Sequence, residues 1–222
     1  MNNTDRCIIF DCDGVLIDSE VIYNSVERKH LSRIGLTYEH ADYQYRFTGL
    51  TEADFLAELK RDYQCLGKGA FPSDFARQVK TECRKRFKTE LVAIDGIYTV
   101  LEQFDRPAAV ASSSPVDDLH EKLRITKLFE YFAPHIYSGD QVESGKPSPD
   151  LFLFAANRLG QEPENCIVVE DSINGVRAGL AAGMTVWGFT GGSHTDAELP
   201  DRLRQAGAHA VFSSCTELRS II

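Results

Sequence analysis

Two aspartates two positions apart, Asp11 and Asp13, stand just past a short apolar run, Cys7-Ile8-Ile9-Phe10, and lead into Gly14-Val15. Carboxylates at this spacing suit metal-assisted phosphoryl transfer. One attacks phosphorus while touching Mg2+, and the other gives and takes a proton. The same residues would also make an ordinary solvated Asp-Gly turn, so the pair alone leaves the question open.

Three later clusters bear on it. Ser112 follows the run Ala108–Ala111, where its hydroxyl and the backbone N–H groups of Ser113 and Ser114 can hold phosphoryl oxygens. Ser114 reads more simply as the N-cap of a helix that starts with Pro115. Lys146 lies in Gly145-Lys146-Pro147-Ser148-Pro149, either a cation stiffened to meet a phosphate or a surface-loop lysine. Glu170 and Asp171 abut the apolar run Cys166–Val169, a costly place for two acids unless a cation sits between them. Asp171 can alternatively cap the next helix.

These residues need a scaffold that brings them together. Apolar runs bounded by turn residues read as buried strands at 7–10, 108–111, 135–138, 166–169, 184–189 and 209–212. Helical patterns fill most of the gaps, opened at Ser114-Pro115, Ser148-Pro149 and Asp171-Ser172, with Gly160 and Gly183 ending the last two. Strands alternating with helices give an α/β class, a Rossmann-like parallel sheet covered on both faces. In such sheets ligands bind at the carboxyl ends of the strands, which is where all four clusters fall.

Residues 19–89 break the alternation. They hold three helical stretches, about 19–33, 51–66 and 73–88, and no convincing strand. Their 13 basic and 10 acidic side chains give +3, against −9 for the whole chain, so the remainder carries −12. The expected organisation is a discontinuous α/β core, 1–18 with 90–222, and an inserted helical cap, 19–89. The opposite charge suits a lid over the sheet edge; a packed subdomain with solvated charges fits it as well.

The series DCDGVLIDSE, VASSS, GKPSPD and VVEDSINGVRAG resembles the four ordered motifs of the haloacid-dehalogenase-like (HAD) hydrolase superfamily. It is similar to the branch with a small helical cap that includes β-phosphoglucomutase, phosphoglycolate phosphatase and many sugar-phosphate phosphatases. The resemblance spans the motifs from Asp11 to Gly179 and implies a HAD-like fold and a Mg2+-dependent phosphatase. By the same resemblance Asp11 is the nucleophile that becomes an aspartyl-phosphate, and Asp13 the acid and base. Ser112, Ser113 and Lys146 hold the phosphoryl group. Asp11, the backbone carbonyl of Asp13 and Asp171 hold Mg2+, with Glu170 acting directly or through water.

Asp13 argues against the dehalogenase and phosphonatase branches, which lack that acid. A sugar-phosphate mutase is the alternative, but the histidine and cap arginine expected of one fall at Tyr23 and Glu52 here. A phospho-accepting receiver or a non-catalytic binding module fits the motif order less well. The hinge around Asp18-Ser19 is most similar to bacterial 6-phosphogluconate or hexose-phosphate phosphatases. Candidates for substrate choice in the cap are Tyr23, Arg46, Gly49, Leu50 and Thr51, with 43–51 read as a loop. The loop Gly191–His194 reads as a glycine turn, with His194 near the substrate as the alternative.

Composition is consistent with this. The chain has 222 residues, 43% hydrophobic and 26% charged, average for a globular protein and long enough for its own core. A net charge of −9 disfavours nucleic acid or an anionic membrane as partner. Six scattered cysteines, none in a C-x-x-C pair, suggest reduced thiols, and the N-terminus lacks the features of a signal peptide. A cytoplasmic monomer or weak homodimer acting on a small phosphorylated metabolite is expected.

Overall fold

The computed structural model describes residues 6–47 and 52–221. The chain divides into two compact units, Met1–Glu20 with Leu91–Ile222, and Val21–Glu90.

The first unit is built on six strands: β1 (Cys7–Phe10), β2 (Ala108–Ser112), β3 (Ile136–Ser138), β4 (Cys166–Glu170), β5 (Thr185–Phe189) and β6 (Ala210–Phe212). They form one sheet in the order β3-β2-β1-β4-β5-β6, and every neighbouring pair is parallel. β1 is buried at all four positions and β4 at all five. That explains why they read as unbroken apolar runs: helices cover both faces, so neither face needs polar residues. The order reverses between β1 and β4, and the crevice at this switch point is the place where such sheets bind ligands.

The helices of this unit are α5 (Ile97–Glu102), α6 (Val116–Ile125), α7 (Phe129–Phe132), α8 (Asp150–Leu159), α9 (Ile173–Ala181), α10 (Leu199–Ala206) and α11 (Cys215–Arg219). Leu151, Phe152 and Ala155 of α8 and Val176 and Ala178 of α9 join Ile9, Ala109, Val168 and Val186 in one buried cluster. Gly179 lets α9 lie close on the sheet, since a Cβ there would stand 2.6 Å from Val186 Cγ2. Gly160 ends α8 in the left-handed region at φ 66°, as expected for a C-terminal glycine.

The chain leaves β1 through a tight turn, with Leu16 N–H bonded to Cys12 O (2.9 Å) and Ile17 N–H to the same oxygen (3.1 Å). It returns alongside itself. Asp18 N–H donates to Val92 O at 3.0 Å and Ile94 N–H to Leu16 O at 2.9 Å, so the outgoing and returning backbones form a short ladder.

The second unit holds α1 (Glu20–Ile34, whose first residue belongs to the first unit), α2 (His40–Phe47), α3 (Glu52–Cys65) and α4 (Phe75–Glu90). Three of these match the expected helical stretches. α2 corrects the loop expected over 43–51 as far as Phe47. Tyr43 and Phe47 are one helical turn apart, both buried, and their rings meet each other and Tyr38 at centroid distances of 5.0–6.0 Å. That aromatic anchoring favours a helix over a loop. Gly49, Leu50 and Thr51 lie outside the described residues. No helix among the described residues is long and apolar enough to cross a membrane.

Candidate active site

The expected site residues of the sheet gather at the carboxyl ends of β1, β2 and β4 and in the segment before α8. Lys146 is the hub. Its ammonium is buried and lies 2.5 Å from Asp11 Oδ1, 2.7 Å from Glu170 Oε1 and 3.0 Å from the Ala111 carbonyl. It therefore joins three strands across the switch point and is not a surface-loop lysine. Burial pushes the Asp11 carboxyl well above its usual range. The Lys146 charge opposes this, while Glu170, Asp171 and Asp13 reinforce it. For Lys146 burial works to lower the pKa, but the charges of Asp11 and Glu170 and their hydrogen bonds outweigh it and the net shift is upward.

Asp13 is held separately. Both of its oxygens meet the Lys122 ammonium, at 2.5 and 2.6 Å. Ser19 Oγ donates to Oδ1 at 2.5 Å and Ser114 Oγ to Oδ2 at 2.9 Å, with Ser112 Oγ at 3.4 Å from Oδ2. Burial would raise the Asp13 pKa, but the charge and hydrogen bonds of Lys122, with Ser19 and Ser114, hold it below its ordinary value. Ser114 is thus a partner of Asp13 and not the expected N-cap. α6 starts at Val116 with Pro115 in the cap position, and the Ser114 backbone N–H donates to Ser112 Oγ at 3.1 Å. Ser113 is exposed between them.

Glu170 faces two ways. Oε1 meets Lys146, while Oε2 accepts from Ser172 N–H at 2.8 Å and Ser172 Oγ at 2.9 Å. Ser172, not Asp171, caps α9 by accepting from Gly175 N–H at 3.0 Å. A Cβ on Gly175 would fall 1.7 Å from Glu170 Oε1, so this carboxylate rests on the bare first turn of α9. We expect Gly175→Ala to displace Glu170 and with it Lys146, costing about 1–3 kcal/mol as an overpacked site. A thermal-denaturation midpoint within 1 °C of wild type, with unchanged activity, would contradict this.

Asp171 lies against the turn after β1. Gly14 has φ +83°, and a Cβ on it would stand 1.8 Å from Asp171 Oδ2. The Gly191–His194 loop reaches the same point, with His194 Nε2 3.1 Å from Asp171 Oδ2. Burial would depress the imidazole, but the hydrogen bond and charge of Asp171, with Glu20 and Asp18, carry it up to about 9. Burial also raises Asp171, against the pull of His194. His194 is therefore a partner of an acidic side chain and not part of a bare glycine turn.

No three His, Cys, Asp or Glu side chains among the described residues stand together as a ready metal-binding group; Lys146 and His194 hold the acids instead. The donor set nevertheless suits a hard cation. It offers oxygens only, among them the carboxylates of Asp11 and Asp171, both buried and both raised by burial, and the glycine at position 14 opens the cradle in which Asp171 sits.

The expected specificity residues lie in the helical unit. The Tyr23 ring packs edge-on against Phe87 at 5.2 Å. Arg46 is matched by Asp62 (2.9 Å) and Glu58 (3.4 Å) and lies over the Phe47 ring at 5.0 Å. Glu52 pairs with Lys80 at 2.8 Å.

Sequence reasoning missed Lys122 and Ser19. The signal for Lys122 was its place between Leu119 and Leu123 on the buried stripe of α6, where a lysine needs an acidic partner.

The parallel sheet, with acids and a buried lysine at its switch point, defines a Rossmann-like α/β core. The model of the haloacid dehalogenase-like hydrolases matches residues 6–183, and the chain belongs to that family. It is 29% identical over 189 residues to the 6-phosphogluconate phosphatase of Escherichia coli K12, covering 85% of this chain and 84% of that one. It is 33% identical over 182 residues to a phosphorylated carbohydrates phosphatase of Thermotoga maritima, with coverage of 81% and 82%. Among solved structures, a conserved haloacid dehalogenase-like protein of unknown function from Agrobacterium tumefaciens C58 superposes with a TM-score of 0.89. The identity is 35%, covering 98% of this chain and 97% of that one.

Proposed function

We propose that the chain hydrolyses the phosphate monoester of a small metabolite, a sugar or sugar-acid phosphate, through an aspartyl-phosphate on Asp11. It is a phosphatase. The observation that carries this reading is the buried Lys146 bridging Asp11 and Glu170 at the β1/β4 switch point, with a second carboxylate, Asp13, held apart by its own donors. The names of the relatives, both phosphatases of phosphorylated carbohydrates or sugar acids, support the substrate class.

In this reading Asp11 reacts as its carboxylate, kept in that form by the Lys146 charge that opposes burial, and attacks phosphorus; Asp13 takes up a proton against the pull of Lys122 and gives it to the departing alcohol oxygen. Asp13, now a carboxylate, takes a proton from the water that cleaves the acyl phosphate. Ser112, the backbone N–H of Ser113 and the Lys146 ammonium hold the phosphoryl oxygens and offset the repulsion between an anionic nucleophile and an anionic ester. Asp11, Asp171 and the Asp13 carbonyl would hold Mg2+, with Glu170 beside them. When bound, that ion supplies further charge neutralisation at the transferring group. The unbridged thiols, five of the six buried and Cys65 exposed, and the acidic charge support a cytoplasmic setting.

The test is a phosphate-release screen over sugar phosphates, 6-phosphogluconate, fructose 1-phosphate and phosphoglycolate, run with Mg2+ and again with a chelator. We expect turnover of at least one carbohydrate phosphate, lost on chelation and restored by added Mg2+. Metal-independent release would overturn the assigned ligands. Isomerised β-glucose 1-phosphate without released phosphate would establish a mutase instead.

A further inference from the structure

The roles above leave Lys122 unexplained. It comes from the middle of α6, is 1% exposed, and touches Asp13 instead of the phosphoryl-binding lysine's partners. A buried ion pair is a weak source of net stability, since an apolar pair of similar volume usually does as well. Stability alone therefore gives little reason for a lysine on this apolar stripe.

Its geometry offers a better one. Asp13 receives donors from three segments: Ser19 beyond the β1 turn, Ser114 after β2, and Lys122 of α6. Ser19 touches only Oδ1, and Ser114 only Oδ2. The ammonium touches both, and at 2.8 Å it also donates to Ser114 Oγ, orienting that hydroxyl towards Asp13. The terminal torsion of an aspartate is broad and soft, so a contact to one oxygen alone lets the carboxyl plane turn. Ser19 on Oδ1 and Ser114 on Oδ2 together resist that turning, and the ammonium holds the Ser114 hydroxyl in place while drawing both oxygens towards itself.

We propose that Lys122 is a positioning residue that fixes the plane of the Asp13 carboxyl for proton transfer to the leaving group. The inference rests on the reading of Asp13 as the acid and base. In the step concerned, the bond from Asp11 oxygen to phosphorus forms as the bond from phosphorus to the alcohol oxygen breaks. Asp13 enters this step protonated, against the pull of Lys122, and its proton moves to that oxygen, leaving a neutral alcohol and the carboxylate that Lys122 holds. A misplacement of about 1 Å in such a group can cost on the order of 100-fold.

The experiment compares Lys122→Met with wild type on two esters: the sugar phosphate cleaved fastest in the screen, and p-nitrophenyl phosphate. In a two-step scheme kcat/KM ends with release of the first product, so it isolates departure of the leaving group. A sugar alkoxide needs the proton, whereas p-nitrophenolate leaves without it. We expect kcat/KM on the sugar phosphate to fall at least about tenfold further than on the aryl ester. Equal losses on the two esters, or no loss, would overturn the proposal. Lys122→Gln, which keeps a polar group in the cluster, is read by the same ratio where the Met variant fails to fold. Asp11→Asn is run alongside: if it retains activity, the nucleophile reading itself fails, whatever the Lys122 ratio shows.

Discussion

Asp11→Asn is expected to lower kcat for phosphate release by at least about 10^4-fold, on the scale seen when a covalent nucleophile is removed. An amide oxygen is a poor nucleophile towards phosphorus, and the acyl-phosphate cannot form. The substitution is nearly isosteric and removes a carboxyl that burial already disfavours in its charged form. The fold should therefore survive, as checked by circular dichroism and a melting curve. A folded variant that keeps a tenth of wild-type activity would contradict attack by Asp11.

The second large effect is on stability. Lys146→Met removes the cation between Asp11 and Glu170, both buried. Stripping one partner from a buried charge cluster costs about 3–5 kcal/mol, because the remaining charges are left uncompensated. For a chain of this size that lowers the melting midpoint by roughly 10 °C. The pH dependence has a definite sign. Lys146 is the main charge that lowers the Asp11 pKa, so without it Asp11 rises further above its unfolded value. A carboxyl with a raised folded pKa binds protons more tightly folded than unfolded, and stability then grows as pH falls through that pKa. The deficit of the variant relative to wild type should shrink on acidification. A deficit that shrinks nowhere as pH is lowered through the range in which both proteins stay folded would refute this account, as would one below 1 kcal/mol.

The strands were legible because β1, β2 and β4 are buried on both faces and carry runs such as Cys-Ile-Ile-Phe and Cys-Ile-Val-Val with no alternation to confuse them. The acids and Lys146 were legible because costly residues stood directly after those runs. Lys122 was not, because a lysine in a helix ordinarily reaches solvent, and only the tertiary fold shows that Asp13 waits for it. Ser114 misled for a related reason. Its Ser-Pro pairing has the local form of a helix start, yet a buried carboxylate competes for the hydroxyl and wins. α2 escaped notice because its stabilising contacts come from Tyr38, outside the helix, as well as from its own Tyr43 and Phe47. The expected approach of Arg46 to a substrate competes with its two carboxylate partners within the helical unit.

The ladder between residues 16–18 and 92–94 has a consequence for how this chain can be rebuilt. It clamps the two points of departure side by side, so whatever is strung between them begins and ends at one fixed gate. Segments 21–90 are in this sense an exchangeable cassette, and grafting in a foreign one leaves the Asp11–Gly14 corner anchored by its own backbone bonds.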